Sequence, residues 1–294
     1  MIYAKAKAKR TLLEEFKEHA MKDDISPESL FSDVIEPFAE AYLIAKNSQY
    51  ISTTNASDIN KLFSWLNRID NSDWLPSAIL FLSQKKNEPE YVKWFVQKLE
   101  RLAAYLHVTA KNVNERIERY SKVIENLESE HSINSTISAI ELTADEQKQM
   151  LDALNRDIYL MSARKRNYII LRLDSFMSDG VATYDFSELT IEHVLPQTVD
   201  PSSEWYKIWP NLDERNLWIH RIANLLPLNQ KRNSQAQNYD FDKKKTAYFG
   251  GSKGVSSFIM TTQVLNMATW TMQDVEKRQS DLLKVFSTNW DLKD

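Results

Sequence analysis

Hydrophobic residues in the first half of the chain recur at helical spacing, and short polar stretches separate the groups. From Glu90 to Leu106 the apolar side chains return every three or four residues, and the segment from Asn112 to Leu127 repeats the pattern. Positions spaced in this way form one face of an amphipathic helix. Ser26 followed by Pro27 is a helix start signal, because proline is favoured in the first turn. This half therefore predicts a helical bundle.

The same half lacks glycine, since all four glycines of the chain stand at position 180 or later. A long stretch without glycine has few places for tight turns, which favours helices over hairpins. The polar stretch from Ser129 to Ser138 is the best candidate for a linker. We therefore predict a helical domain over residues 1–135 and a second domain over residues 136–294.

The pattern of the second domain changes from helices to short extended segments and back. A capping-box arrangement at Thr143 to Glu146 opens a helix, and Ala163 to Phe176 predicts another. Strands are predicted at Thr190–Leu195 and at Ile222–Leu228, and a helix at Ser234–Gly250. The long connection between the strands carries three tryptophans that we expect to anchor it on the core: Trp205, Trp209 and Trp218.

Composition narrows the class of protein. Hydrophobic residues make up 43% of the chain and charged residues 27%, which is typical of a globular protein. The sequence has no apolar run of membrane-spanning length, so we expect no membrane association and a cytoplasmic location. The chain contains no cysteine, which excludes disulfides and thiolate ligands. Any bound metal is therefore held by nitrogen and oxygen.

Charge is unevenly distributed along the chain. The net charge is −4, but residues 201–250 contain eight lysines and arginines against five aspartates and glutamates. This segment is the basic part of an acidic chain. A second basic run occupies positions 5 to 10, and it is either a solvated helix face or a DNA contact.

The basic segment and the strand before it contain the residue types that phosphodiester hydrolysis requires. His193 is a candidate base, because an imidazole with an unperturbed pKa of about 6.5 can take a proton from water near neutral pH. Glu192 and Asn233 could supply oxygen ligands to a hard divalent ion. An isolated histidine would more simply be a buried structural one, but these flanking residues favour catalysis. His220 is either a further metal ligand or a structural residue.

Three motifs in this region resemble those of the HNH (His-Me finger) nucleases. They are Glu-His-x-x-Pro at 192 to 196, Asn-Leu-Leu-Pro-Leu at 224 to 228 and Asn-x4-Asn-x2-Phe-x2-Lys at 233 to 244. The set is most similar to the domain at the C-terminus of GmrSD-type restriction proteins and SspE-type phage-defence nickases. The resemblance implies a mainly α protein with a ββα-metal core at about residues 188–250, embedded in helices. It makes His193 the general base and Asn224 the amide that braces the loop between the strands, and it assigns Glu192 and Asn233 as ligands of Mg2+ (or Mn2+).

The function expected from the residues and the resemblance is a metal-dependent DNA endonuclease, nicking or cutting both strands. We expect Lys231, Arg232 and Lys244 to contact DNA, because cations next to the site can bind phosphates. By the resemblance, the setting is bacterial restriction or anti-phage defence, with an N-terminal nucleotide-binding domain in a longer protein. The alternative is a catalytically degenerate finger that binds DNA or serves as a structural module of a larger complex.

Overall fold

The computed structural model describes residues 11–19, 25–129, 137–178, 189–229, 239–249 and 258–293. The chain divides into two compact units, Met1–Thr143 and Ala144–Asp294. Regular structure in the described residues is almost entirely helical, apart from one two-stranded sheet. The prediction of a mainly α protein is therefore confirmed. The predicted boundary between residues 135 and 136 lies outside the described residues.

The first unit is built from helices joined by short connections. Its described helices are α1 (Leu12–His19), α2 (Pro27–Ser29), α3 (Glu36–Asn47), α4 (Ala56–Leu66), α5 (Leu75–Lys85), α6 (Pro89–Val108) and α7 (Val113–Ser129), with a π-helical segment (Leu30–Ile35) between α2 and α3 and a 3-10 turn (Ser138–Ile140) after α7. The Ser26 side chain accepts a hydrogen bond from the Ser29 N–H and caps α2, as the start signal predicts. α5 packs on α3, and α6 packs on α4.

Helix α6 lies at the centre of the first unit. The apolar face predicted between Glu90 and Leu106 is buried throughout. Phe95 on this face stacks on Phe81 of α5 with the ring centroids 3.9 Å apart. Large aromatic side chains contribute much of the apolar area that a core removes from water. The periodic pattern therefore identified the core face of this helix correctly.

The second unit surrounds its two strands with helices. Its described elements are α8 (Ala144–Leu154), α9 (Ala163–Met177), β1 (Leu189–His193), α10 (Glu204–Ile208), α11 (Leu212–Trp218), β2 (Leu225–Asn229), α12 (Phe241–Phe249), α13 (Ile259–Leu265) and α14 (Met272–Asn289), with 3-10 turns at Ile158–Leu160 and Ile222–Asn224. Two strands and a helix therefore follow in the predicted order. Among the residues with described positions, no helix has the length and apolar character needed to cross a bilayer.

The two strands pair antiparallel, with Glu192 opposite Leu226 and His193 opposite Leu225. The structure ends β1 two residues before the predicted end at Leu195. The physical reason is the Asn224 side chain, whose Oδ1 accepts a hydrogen bond from the Leu195 N–H at 2.7 Å. A side-chain amide takes over the hydrogen bond that a further strand residue would provide. The first strand therefore stops at the residue that carries the candidate base.

The connection between the strands is anchored by its tryptophans. Trp205 and Trp209 are fully buried, and Trp218 is almost so. The indole N–H of Trp209 donates to the Trp270 carbonyl at 2.7 Å, and that of Trp205 donates to the Tyr239 carbonyl at 2.9 Å. Burying an indole is favourable when its N–H finds such an acceptor. The predicted anchoring of this connection on the core is confirmed.

Helix α14 fixes the turn that leads into β2. Arg278 donates from Nε to the Ala223 carbonyl at 3.1 Å and from Nη2 to the Met260 carbonyl at 3.1 Å. The Gln279 side-chain oxygen accepts from the Ala223 N–H at 3.0 Å. Burial lowers the pKa of Arg278 to about 10, so the guanidinium stays protonated at neutral pH. Two adjacent side chains of α14 thus bind the backbone carbonyl and the backbone N–H of Ala223.

Candidate functional site

Glu192 and His193 stand side by side at the end of β1, yet their side chains contact different groups. The Glu192 carboxylate accepts a hydrogen bond from Lys244 of α12. The His193 ring contacts His220 and Gln197 instead. Successive residues of a strand point to opposite faces, which explains the separation. The end of β1 therefore presents one acidic group and one imidazole in two different surroundings.

Lys244 is buried inside this site, with only 1% of its surface exposed. Its ammonium donates to Glu192 Oε1 at 2.7 Å and to the His193 carbonyl oxygen at 2.6 Å. Burial lowers the pKa of Lys244, and the neighbouring Glu192 carboxylate opposes this shift. An ammonium enclosed by two protein oxygens has no exposed surface to offer a DNA phosphate. The structure thus corrects the DNA contact predicted for Lys244.

The His193 ring is bounded by polar and aromatic groups. Its Nε2 lies 3.4 Å from His220 Nδ1, and its Nδ1 lies 3.3 Å from Gln197 Nε2. The Tyr159 ring meets it edge to face at a centroid distance of 4.1 Å. His193 is only 6% exposed, whereas Gln197, which faces its Nδ1, is an exposed residue. The Nδ1 side of the ring therefore lies next to an exposed side chain.

Burial lowers the pKa of His193 to about 3, and electrostatic interactions with His220, Lys244 and Arg166 act in the same direction. The ring is therefore neutral at neutral pH. A neutral imidazole has one nitrogen with a lone pair, which can accept a proton from water. An anionic phosphate placed beside the ring would shift the pKa upward, because a nearby opposite charge favours the protonated form.

His220 is held against Tyr159, a residue that the sequence gave no reason to single out. The two rings stack with centroids 5.5 Å apart and planes 11° apart, and the Tyr159 N–H donates to the His220 carbonyl at 3.0 Å. The Arg166 guanidinium lies 4.5 Å from the Tyr159 ring centroid. Of the groups around His193, only Gln197 follows closely in sequence, four residues later. Tyr159 and Arg166 come from distant segments.

Asn224 is fully buried and bridges three segments of the second unit. Its Nδ2 donates to the carbonyls of Leu195 and Ile219, both at 3.0 Å. Its Oδ1 accepts from the Leu195 N–H at 2.7 Å and from the Trp270 indole at 3.2 Å. All of these partners belong to the protein framework. The Asn224 amide thus holds the chain that leaves β1 against the chain that enters β2.

The remaining predicted site residues, Asn233, Lys231 and Arg232, lie outside the described residues. Among those that are described, no three histidine, aspartate or glutamate side chains form a cluster that could hold a metal ion. Glu192 Oε1 and the His193 carbonyl do converge on one cationic group, the Lys244 ammonium. Oxygen donors of this kind are the ones that Mg2+ and Mn2+ prefer. The donor chemistry therefore fits such an ion, although the ammonium supplies the positive charge here.

A comparison with protein-family models finds a match, and it lies in the second unit. Residues 144–285 match the family model described as the C-terminal domain of GmrSD restriction endonucleases. This range includes both strands, α12 and every site residue described above. The match confirms the GmrSD-type resemblance seen in the motifs, and it indicates a restriction endonuclease-type function. No curated protein and no solved structure matches the chain.

Proposed function

We propose, from the premise that residues 144–285 match the GmrSD C-terminal domain, that this unit is a metal-dependent DNA endonuclease of the HNH (His-Me finger) type. The observation that carries the proposal is the position of His193. It is a neutral imidazole at the end of β1, next to an acidic residue, in a strand–strand–helix segment. Metal-assisted hydrolysis of a phosphodiester uses a base that takes a proton from water and a cation held by oxygen ligands. A neutral imidazole can serve as that base.

His193 is the proposed general base. Its Nδ1 lies against the side chain of Gln197, which is exposed and can move aside for water. The ring then receives a proton from that water at Nδ1, and the water oxygen attacks the phosphorus while the P–O bond to the leaving oxygen breaks. Asn224 contributes by holding the backbone after β1 in place, so its part in the reaction is positional.

Glu192 and Asn233 are the residues that would hold Mg2+ or Mn2+. When bound, the ion supplies positive charge to the phosphate and to the departing oxygen. Lys244 also places a positive charge next to Glu192. Lys231 and Arg232 are the proposed DNA contacts, because they belong to the basic segment of an acidic chain. The proposed setting is bacterial cytoplasmic defence, with a nucleotide-binding partner domain.

Cleavage of supercoiled plasmid tests the proposal directly. The parent protein with Mg2+ or Mn2+ should convert the plasmid to nicked or linear forms, and EDTA should abolish the conversion. His193→Ala should slow cleavage by about 10²- to 10⁴-fold, the usual contribution of general acid–base catalysis. Arg156→Ala, an exposed position in the same unit, is the matched control. A His193→Ala protein that cuts at the parent rate would remove the catalytic assignment.

A second candidate function is DNA binding without cleavage. The buried Lys244–Glu192 pair favours it, because the carboxylate already binds a cation of the protein. Gel-shift binding that persists in EDTA, with intact plasmid at every Mg2+ and Mn2+ concentration, would support this second function. Scission that depends on metal and on His193 would exclude it.

A further inference from the structure

The rings of His193 and His220 lie side by side, and the hydrogen bond between them decides which nitrogen of the proposed base carries the proton. The two nitrogens that face each other, His193 Nε2 and His220 Nδ1, are 3.4 Å apart. We propose that His220 is a positioning residue that keeps the proton of His193 on Nε2 and the lone pair on Nδ1. This inference depends on the proposed function, in which His193 Nδ1 accepts a proton from water.

The donor and acceptor inventory around the pair supports one arrangement of protons. The Gln197 group that faces His193 Nδ1, at 3.3 Å, is the side-chain amide nitrogen, which can only donate. With the Gln197 amide in this orientation, His193 Nδ1 is the acceptor. Since a neutral imidazole carries one N–H, the proton is on Nε2 and points at His220. His220 Nδ1 is the acceptor of this hydrogen bond.

The reversed arrangement would place the Gln197 amide oxygen against His193 Nδ1 and put the proton on that nitrogen. His193 would then have its lone pair directed at His220 and none toward the exposed side of the ring. Such a ring cannot take a proton from water on that side. The acceptor nitrogen of His220 therefore keeps the His193 proton on Nε2, so that Nδ1 can take a proton from water.

The position of His220 is fixed independently of His193. Its ring stacks on Tyr159, and its carbonyl accepts the Tyr159 N–H. The carbonyl of the preceding residue, Ile219, is held by the buried Asn224 amide. A partner whose own position is fixed by stacking and hydrogen bonds can hold a catalytic ring within narrow limits.

Two substitutions at position 220 test the hydrogen-bond acceptor and the aromatic ring independently. His220→Phe keeps an aromatic ring against Tyr159 but removes the nitrogen acceptor. His220→Asn loses the ring and keeps an oxygen acceptor near the place of Nδ1. We expect His220→Phe to lower the single-turnover cleavage rate by about 10- to 100-fold, the range typical when the partner of a functional histidine is lost. His220→Asn should restore most of the rate, and DNA affinity should be unchanged in both variants.

Nitrogen-15 NMR of histidine-labelled protein provides a readout that does not require cleavage. The parent should show His193 protonated at Nε2, and His220→Phe should shift the signal toward the Nδ1–H form. Signals are assigned by comparison with His193→Ala. An Nδ1–H form in the parent, or a His220→Phe protein that cuts at the parent rate, would overturn the inference. A parent that shows the Nε2–H form without cutting DNA would contradict the nuclease proposal and leave the role of His220 in fixing the tautomer supported.

Discussion

Lys244 gives the sharpest test of how the second unit is held together. The perturbation is Lys244→Met, which keeps an unbranched apolar stem of similar length and removes the ammonium. The change removes the cation that binds the carboxylate of the buried Glu192, and it removes the 2.6 Å hydrogen bond to the His193 carbonyl. Both losses occur at the end of β1, where the proposed base is located.

The magnitude follows from burial and distance. The pair is joined at 2.7 Å, with the Lys244 side chain 1% exposed and that of Glu192 11% exposed. Removing one partner of a buried pair costs about 3 to 5 kcal/mol, because the other charge stays buried and loses the attraction of that partner. The loss of the hydrogen bond to the His193 carbonyl is counted within this range. We therefore expect Lys244→Met to lower the free energy of unfolding by about 3 to 5 kcal/mol at pH 7.

Urea unfolding followed by tryptophan fluorescence measures the loss, and hydrogen exchange of peptides from β1 assigns it to the second unit. Lys277→Met is the matched control, because the Lys277–Asp281 pair is a solvent-exposed i,i+4 pair with side chains 76% and 61% exposed. That control should change stability by at most about 0.5 kcal/mol. The double variant Lys244→Met with Glu192→Met should recover much of the lost stability, since neither charge is left alone.

Two results would refute this reasoning. The first is a loss below about 1 kcal/mol for Lys244→Met, the level expected of a surface pair. The second is a double variant that is less stable than Lys244→Met, because the cost would then not come from an uncompensated carboxylate. Either result would mean that the ammonium contributes little to the end of β1.

Two further predictions concern other residues of the site. The folded-state pKa of His193 is about 3 against 6.5 when unfolded, so the unfolded chain binds the proton first as pH falls. Stability should drop by about 1.6 kcal/mol between pH 6.5 and 5 and continue to fall toward pH 3, and urea titrations of His193→Gln should lack this component. Asn224→Leu should cost about 3 kcal/mol in the same urea assay, because buried groups of Leu195 and Ile219 lose their partners; an effect below about 1 kcal/mol would contradict the bracing role.

Local sequence signals were enough for most of the fold. Helix α6 and the cap of α2 depend on residues a few positions apart, so periodicity and capping residues identify them. The strand limits were less accurate, because the end of β1 is set by the Asn224 side chain from another segment. The order of two strands and a helix followed from short patterns and from the motif resemblance.

One prediction about the site was wrong, and one residue of the site was missed. Lys244 was interpreted as part of a basic run, yet it stands three residues after the buried Phe241 and therefore on the same face of α12. This spacing was available in the sequence and pointed inward. The contact of Tyr159 with the two histidines had no such signal, because tertiary packing alone brings the 3-10 turn Ile158–Leu160 to the strand end.

The two hydrogen bonds from α14 to Ala223 have a practical consequence for anyone who shortens this protein. A stop codon or a proteolytic cut ahead of Arg278 would leave every nuclease motif intact in the remaining polypeptide. It would nevertheless release the turn at Ile222–Asn224 and expose the apolar surface that α14 covers. Fragments designed from the motifs alone would be prone to aggregate, so an expressible minimal domain must include α14 and the buried Trp290 that stacks on Phe286.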